Sequence, residues 1–130
     1  MDIEFITLAW SRDSGYQSAH CLVIDSPEQW INCWQLHTCH AEPPLPAPQV
    51  DFTRYSIIAV FAGEKPASEY SVEIMSVEVT GTEEQPSIAI TVQHHQPKPG
   101  DFVIEMRTYP NHIIKIPKVA DRNKVTFNHI

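Results

Sequence analysis

The chain has 130 residues, 42% of them hydrophobic and 19% charged, which suits one folded domain spanning residues 1–130 and excludes wholesale disorder. Sixteen acidic residues against nine basic ones leave a formal charge of -7, so the cationic footprint that nucleic acid or an anionic membrane surface selects is missing. No apolar run approaches the roughly 20 residues of a membrane-spanning helix, which argues against membrane insertion.

Asp2 to Trp10 alternates loosely, with Ile3, Phe5 and Leu8 apolar, and reads as a first strand ending in the polar turn Ser11–Gly15. The opening MDIEFITLAW has no basic n-region and no continuous apolar core, so it reads as mature protein and the expected location is cytoplasmic. His20 to Ile24 holds a second short apolar strand. The three cysteines, Cys21, Cys33 and Cys39, are odd in number and lack a scaffold spacing, which favours reduced thiols.

The clearest helix signal follows. Ser26 is a good N-cap, Pro27 suits the first helical position, Glu28 complements the helix dipole, and Gln29 completes an S-x-x-Q capping box. Trp30, Cys33, Trp34 and His37 then recur at i, i+3, i+4 and i+7, the single apolar stripe of a helix laid on a sheet. Pro43 to Pro48 is a stiff extended connector, either a spacer across the surface or a ligand for an aromatic groove.

Tyr55 to Ala62, centred on Ile57-Ile58-Ala59-Val60-Phe61-Ala62, is the longest apolar run and is rich in β-branched and aromatic residues. It reads as a strand covered on both faces and as the centre of the fold, with Asp51 in the turn before it. In Ser71 to Thr80 the apolar positions change parity between Val72/Ile74 and Val77/Val79, which predicts a β-bulge near Met75-Ser76. Ile88 to Val92 alternates cleanly, Gln93 to Gly100 reads as a turn, and Phe102, Ile104 and Met106 alternate across a strand to Arg107. His112 to Ile116 and Val125 to Phe127 close the series. The later connections are too short for crossover helices, so antiparallel pairing is expected. The fold class is therefore mostly β (α+β): an antiparallel β-sandwich or curled sheet of about seven or eight short strands, with one helix in the N-terminal third packed on it.

Candidate chemistry is sparse. His37, Cys39 and His40 stand close in sequence just past the helix, and His20-Cys21 and His94-His95 are further pairs, but none has a recognised metal-ligand spacing, so no metal and no cofactor are expected. Cys39 beside His40 is not a dyad by adjacency, Ser14-Gly15 lacks the nucleophile-elbow context, and four scattered glycines build no phosphate loop; the chain is not expected to be an enzyme. What remains is the eight-residue connection Gly63–Tyr70, longer than a tight hairpin needs. Tyr70 at its exit either offers an amphipathic surface to a partner or packs on its own sheet.

The string from Val50 to Pro66, VDF-x-x-x-x-I-I-A-V-F-A-G-E-K-P, together with Tyr70–Ile74 (YSVEI), Gln96–Gly100 (QPKPG) and Thr108–Pro117 (TYPNHIIKIP), resembles the PrcB family of protease complex subunit PrcB-like proteins. Asp13-Ser14-Gly15 and Glu28-Gln29-Trp30 with Trp34 and His37 are similar to the family's front section. The resemblance implies a non-catalytic, protein-binding domain that supports assembly or stability of a protease or envelope-associated complex. Family members often carry T-G-G-Y where this chain has Ala67-Ser68-Glu69-Tyr70, and many are exported. That loop is in turn similar to the one with which chagasin-like cysteine protease inhibitors enter a cleft, which makes inhibition one alternative and small-molecule binding another. The residues expected to contact a protein partner are Glu64, Lys65, Pro66, Ser68, Glu69 and Tyr70, with Tyr109 and His112 from a neighbouring turn, because family-like residues gather in turns carried by a rigid scaffold. Oligomeric state is open at this level.

Overall fold

A computed structural model describes all 130 residues. In chain order the elements are β1 (Ile6–Ser11), β2 (Ala19–Ile24), α1 (Pro27–His37), β3 (Tyr55–Ala62), β4 (Lys65–Ala67), β5 (Ser71–Gly81), β6 (Pro86–His95), β7 (Glu105–Thr108), β8 (Asn111–Pro117) and β9 (Val125–His129), with a short 3-10 turn over Arg122–Lys124 before the last strand. They form a four-stranded sheet in the order β1-β8-β3-β2, a three-stranded sheet in the order β5-β6-β9, and a two-stranded ribbon of β4 and β7. No helix is long and apolar enough to cross a membrane.

The run Ser56 to Ala62 is buried throughout, as a strand enclosed on both faces requires. Its even-numbered residues Ile58, Val60 and Ala62 meet Ile114 and Ile116 of β8 and the apolar face of β5 and β6 in the core between the two sheets. Its odd-numbered residues Ile57, Ala59 and Phe61 face the other way, with Ile113, onto Trp30, Cys33 and Trp34 of α1. The molecule is thus three layers deep: helix, four-stranded sheet, three-stranded sheet.

The helix has the expected start and stripe. Ser26 Oγ accepts from Gln29 N–H at 3.3 Å, and Trp30, Cys33, Trp34 and His37 are its buried residues. The return bond of the capping box lands one residue early, with Gln29 Oε1 accepting from Asp25 N–H at 3.2 Å. The proline-rich connector is laid back along the helix. Its carbonyls at Pro48 and Leu45 accept the indole N–H groups of Trp30 and Trp34, at 2.8 and 3.1 Å, so two enclosed donors are satisfied by a segment with few N–H groups of its own. Gly15 fits under the helix end because a Cβ there would run into the Leu36 carbonyl and the Cys39 sulfur. Its N–H donates to His37 O at 2.9 Å.

The bulge predicted near Met75-Ser76 is present as a register shift between Ile74 and Ser76, and it keeps Val72, Ile74 and Val77 all buried. Three expectations are corrected. β6 runs on through His95, so His94-His95 lie in a strand and not in a turn. β9 pairs with β6 in parallel, not antiparallel; the rule on short connections governs sequential neighbours, and β9 enters the sheet beside a strand thirty residues earlier. The alternating segment from Phe102 forms a strand only over Glu105–Thr108, and its apolar positions face outward because no second layer lies over them.

Along one seam the two sheets are joined by side chains that bond the free edge of β5. Trp10 Nε1 donates to Val72 O at 2.9 Å, and Ile74 N–H donates to His112 Nδ1 at 2.8 Å. Nδ1 of His112 therefore carries no proton, and Nε2–H donates to Thr7 Oγ1 at 2.9 Å. The Trp10 ring stacks on the imidazole at 4.9 Å.

Two outcomes are expected. Ile58→Asp would bury a charge without a partner between the sheets, and far-UV circular dichroism should show no folded protein. Burial lowers the pKa of His112 below the usual histidine value of 6.5, with Glu73 pulling it partly back, and burial also lowers that of His37. A group whose folded value is depressed contributes stability that is complete above its unfolded value and fades as pH falls below it. Urea midpoints should therefore be flat above about pH 6.5 and decline from there towards about pH 5.

Candidate functional site

Past the end of the four-stranded sheet the two central strands keep going. The β3–β8 ladder runs to Phe61↔Asn111, and beyond it β4 and β7 form a separate pair, Lys65↔Thr108 and Ala67↔Glu105, with a register shift that sets Met106 and Arg107 opposite Pro66. The flanking strands stop short, since β1 ends at Ser11 opposite Asn111 and β2 begins at Ala19 opposite Ala62. Between β3 and β4 the backbone turns through Gly63 at φ 81°, a conformation glycine adopts without a Cβ penalty. The expected loop Gly63–Tyr70 is thus partly a strand, and with β7 it forms a two-stranded ribbon projecting from the fold.

Seven of the eight residues expected to contact a partner belong to this ribbon or its root. Glu64 accepts a hydrogen bond from the Tyr109 hydroxyl at 2.9 Å, and Lys65 Nζ lies 5.9 Å from the centre of the Tyr70 ring. Tyr109 is fixed through its backbone: its N–H donates to Arg12 O at 2.7 Å and its carbonyl accepts from Ser14 N–H at 3.2 Å. Ser68 N–H donates to Ile104 O at 3.1 Å and Thr108 Oγ1 to Ala67 O at 3.0 Å, which ties β4 to the segment leading into β7. Pro66 is exposed, while Ser68, Glu69 and Tyr70 are half-buried. Beside them is a hollow of about 520 Å³ walled by Pro66, Ala67, Tyr70, Pro97, Val103 and Arg107. One carboxylate oxygen of Glu69, Oε2, is enclosed and accepts no hydrogen bond from the chain.

His112 is the exception and its assignment is corrected. It is 2% exposed, both ring nitrogens are engaged, and its place is the seam between the sheets; it offers no surface to a partner. Its neighbours in sequence gave it the look of a turn residue, but Asn111 already begins β8. The alternation from Phe102 to Met106 concealed a different feature. Phe102, Ile104 and Met106 are 90%, 56% and 51% exposed, so the ribbon carries an apolar strip that periodicity alone assigns to a core.

No group of three or more His, Cys, Asp or Glu side chains converges on a metal position. His37 Nδ1 instead lies 2.8 Å from Ser14 Oγ in a buried clasp, and Cys39 and His40 are exposed. A larger hollow of about 650 Å³ lies along β2 beside α1 and includes Tyr16, Cys21 and Cys33. Burial pushes the Cys21 and Cys33 thiols and the Tyr16 phenol upward, so all three stay protonated near neutral pH, the opposite of an activated nucleophile. At the far end of β6, His94 Nε2 and His129 Nδ1 are 2.8 Å apart and His95 faces Glu73 at 3.6 Å.

Residues 56–117, from the second residue of β3 to the last of β8, match the family model described as PrcB C-terminal. The matched segment contains β4, the hollow, β7 and Tyr109. No curated protein and no solved structure matches the chain.

The Tyr109 phenol is pushed up from its ordinary value of 10.0, first of all by its hydrogen bond to the Glu64 carboxylate. Glu64→Ala removes that acceptor, and one phenol among the four tyrosines should then ionise at lower pH when phenolate absorbance is followed. An unchanged titration curve would mean that the two side chains are not joined in solution.

Proposed function

Because residues 56–117 match the PrcB C-terminal family model, we propose that this chain is a non-catalytic protein-binding domain that supports the assembly or stability of a protease or envelope-associated complex, and that it meets its partner at the β4–β7 ribbon. The observation that carries this reading is the gathering of Glu64 to Tyr70 and Tyr109 on one ribbon and its root inside the matched segment, where Pro66, Ala67 and Tyr70 help to wall a hollow of about 520 Å³. The enclosed Glu69 Oε2 adds to it, because a carboxylate oxygen removed from water and given no donor is costly unless something else supplies one. Tyr70 and Pro66 bring rigid apolar surface at low entropic cost, with Lys65 and Glu64 as a charged rim. The ribbon is anchored on the most deeply buried strands, so its contact groups are held in place before a partner arrives.

The test is affinity capture from extract of the source cells. The unaltered chain should retain a protease or a subunit of its complex. Lys65→Glu combined with Tyr70→Ala, with an unchanged circular dichroism spectrum, should lose at least about tenfold of that capture. Equal capture by both chains would move the contact away from the ribbon, and capture free of any protease component would remove the protease-complex part of the reading.

A further inference from the structure

Cys21 stands on the outer strand of the four-stranded sheet and His129 on the outer strand of the three-stranded sheet, and no backbone pairing joins β2 to β9. Their side chains nevertheless meet across the open side of the sandwich. Cys21 Sγ lies 3.7 Å from His129 Nε2, and His129 Nδ1 lies 2.8 Å from His94 Nε2. The order of the three groups decides where the protons are. A protonated thiol donates through S–H and accepts weakly, so His129 Nε2 faces the sulfur as a lone pair. His129 Nδ1–H then donates to His94 Nε2. A histidine with one nitrogen turned on a thiol, and the other held by a neighbour that fixes its tautomer, has the arrangement of a metal ligand with its outer partner.

We propose that Cys21 Sγ and His129 Nε2 bind a divalent metal ion of the zinc class between the two sheets, with His94 positioning His129 and with water on the remaining coordination positions. The gap has the required size. Zinc–sulfur and zinc–nitrogen bonds of about 2.3 and 2.0–2.1 Å at a tetrahedral angle set the two donor atoms about 3.6 Å apart. The observed 3.7 Å is within about 0.2 Å of that separation. A site with two protein donors is an open one, which needs no three-residue cluster and leaves the ion exchangeable. The thiolate selects zinc, cadmium or cobalt over magnesium and calcium, which prefer oxygen. On binding, the S–H bond breaks, the sulfur electron pair bonds the metal and the proton passes to solvent, with no change of oxidation state. His129, already unprotonated at Nε2, releases none. The thiol is reached from the hollow of about 650 Å³ along β2, whose one charged wall residue, Arg122, is held by Asp25 at 3.6 Å; both histidines are exposed. The ion clips β2 to β9 and so joins the two sheets on this side. The site does not rest on the protein-binding reading of the ribbon.

The reduced, metal-free chain titrated with zinc in a calorimeter should bind one equivalent, and repeating the titration in buffers of different ionisation enthalpy should show about one proton released per ion. Cobalt(II) in place of zinc should give thiolate-to-metal charge-transfer absorbance. Zinc should also raise the midpoint of thermal unfolding. Cys21→Ser and His129→Gln should each abolish the stoichiometric binding and the absorbance. His94→Ala should weaken binding by about tenfold or more, and His94→Gln, which keeps an acceptor for Nδ1–H, should restore most of it. Cys39→Ser removes the exposed thiol beside His40 and should change neither readout. Circular dichroism identifies the variants that keep the fold. No binding up to roughly millimolar zinc overturns the proposal. So does binding that survives Cys21→Ser or requires Cys39, and so does binding without proton release or charge-transfer absorbance, which would be adventitious contact with surface histidines.

Discussion

The structure depends on a single strand having two inner faces. Because successive side chains of β3 point in opposite directions, Ile58 and Val60 belong to the space between the sheets while Ile57, Ala59 and Phe61 belong to the space under the helix. Neither core can be assembled without β3, and each side chain of this size contributes roughly 1.5–3 kcal/mol on burial. The helix and the second sheet have few contacts that bypass it. Removing the strand would leave a tryptophan-faced helix and an apolar three-stranded sheet without a common surface.

A sandwich so built has two open sides, and side chains reach across both of them near the strand edges. On the β5 side the donors and acceptors are Trp10 and His112, which take up Val72 O and Ile74 N–H. On the β2 side Arg122 donates to Val23 O at 2.5 Å while pairing with Asp25 at 3.6 Å, and Cys21 Sγ lies 3.7 Å from His129 Nε2. Val72 O, Ile74 N–H and Val23 O, which strand edges would otherwise leave unpaired, are thereby satisfied from within the chain. At the end of β7 the Arg12–Ser14 segment acts in the same way on Tyr109, accepting its N–H at 2.7 Å and donating to its carbonyl at 3.2 Å.

Much of this was readable in the sequence, and the limits have physical causes. The helix was visible because cap, first-turn proline and 3.6-residue stripe all agree over Ser26 to His37, and the bulge because a parity change in a half-buried strand has one remedy. The central strand announced itself by the length of its apolar run. His112 was read both as the first residue of a strand and as a contact in the neighbouring turn, and nothing local shows that its imidazole is bonded across the sheets to Ile74. The exposure of Phe102, Ile104 and Met106 was not readable either: alternation reports that a face is apolar, not that something covers it. The ribbon itself depends on register between segments forty residues apart, which composition does not encode. The pairing of β9 beside β6 was hidden in the same way.

The way β4 and β7 are rooted on β3 and β8 has a mechanical meaning. The arm leaves the sheet through the turn at Gly63, but its root is clamped by backbone bonds, Ala62 N–H to Pro110 O at 2.9 Å and Glu64 N–H to Gln17 O at 3.2 Å, so it is held to the two innermost strands. A force applied to its tip is borne by the hydrogen bonds of the innermost pair and by the packing on either side of them, rather than dissipated at the surface. Whatever grips the arm therefore fixes the orientation of the entire body with respect to itself, helix included.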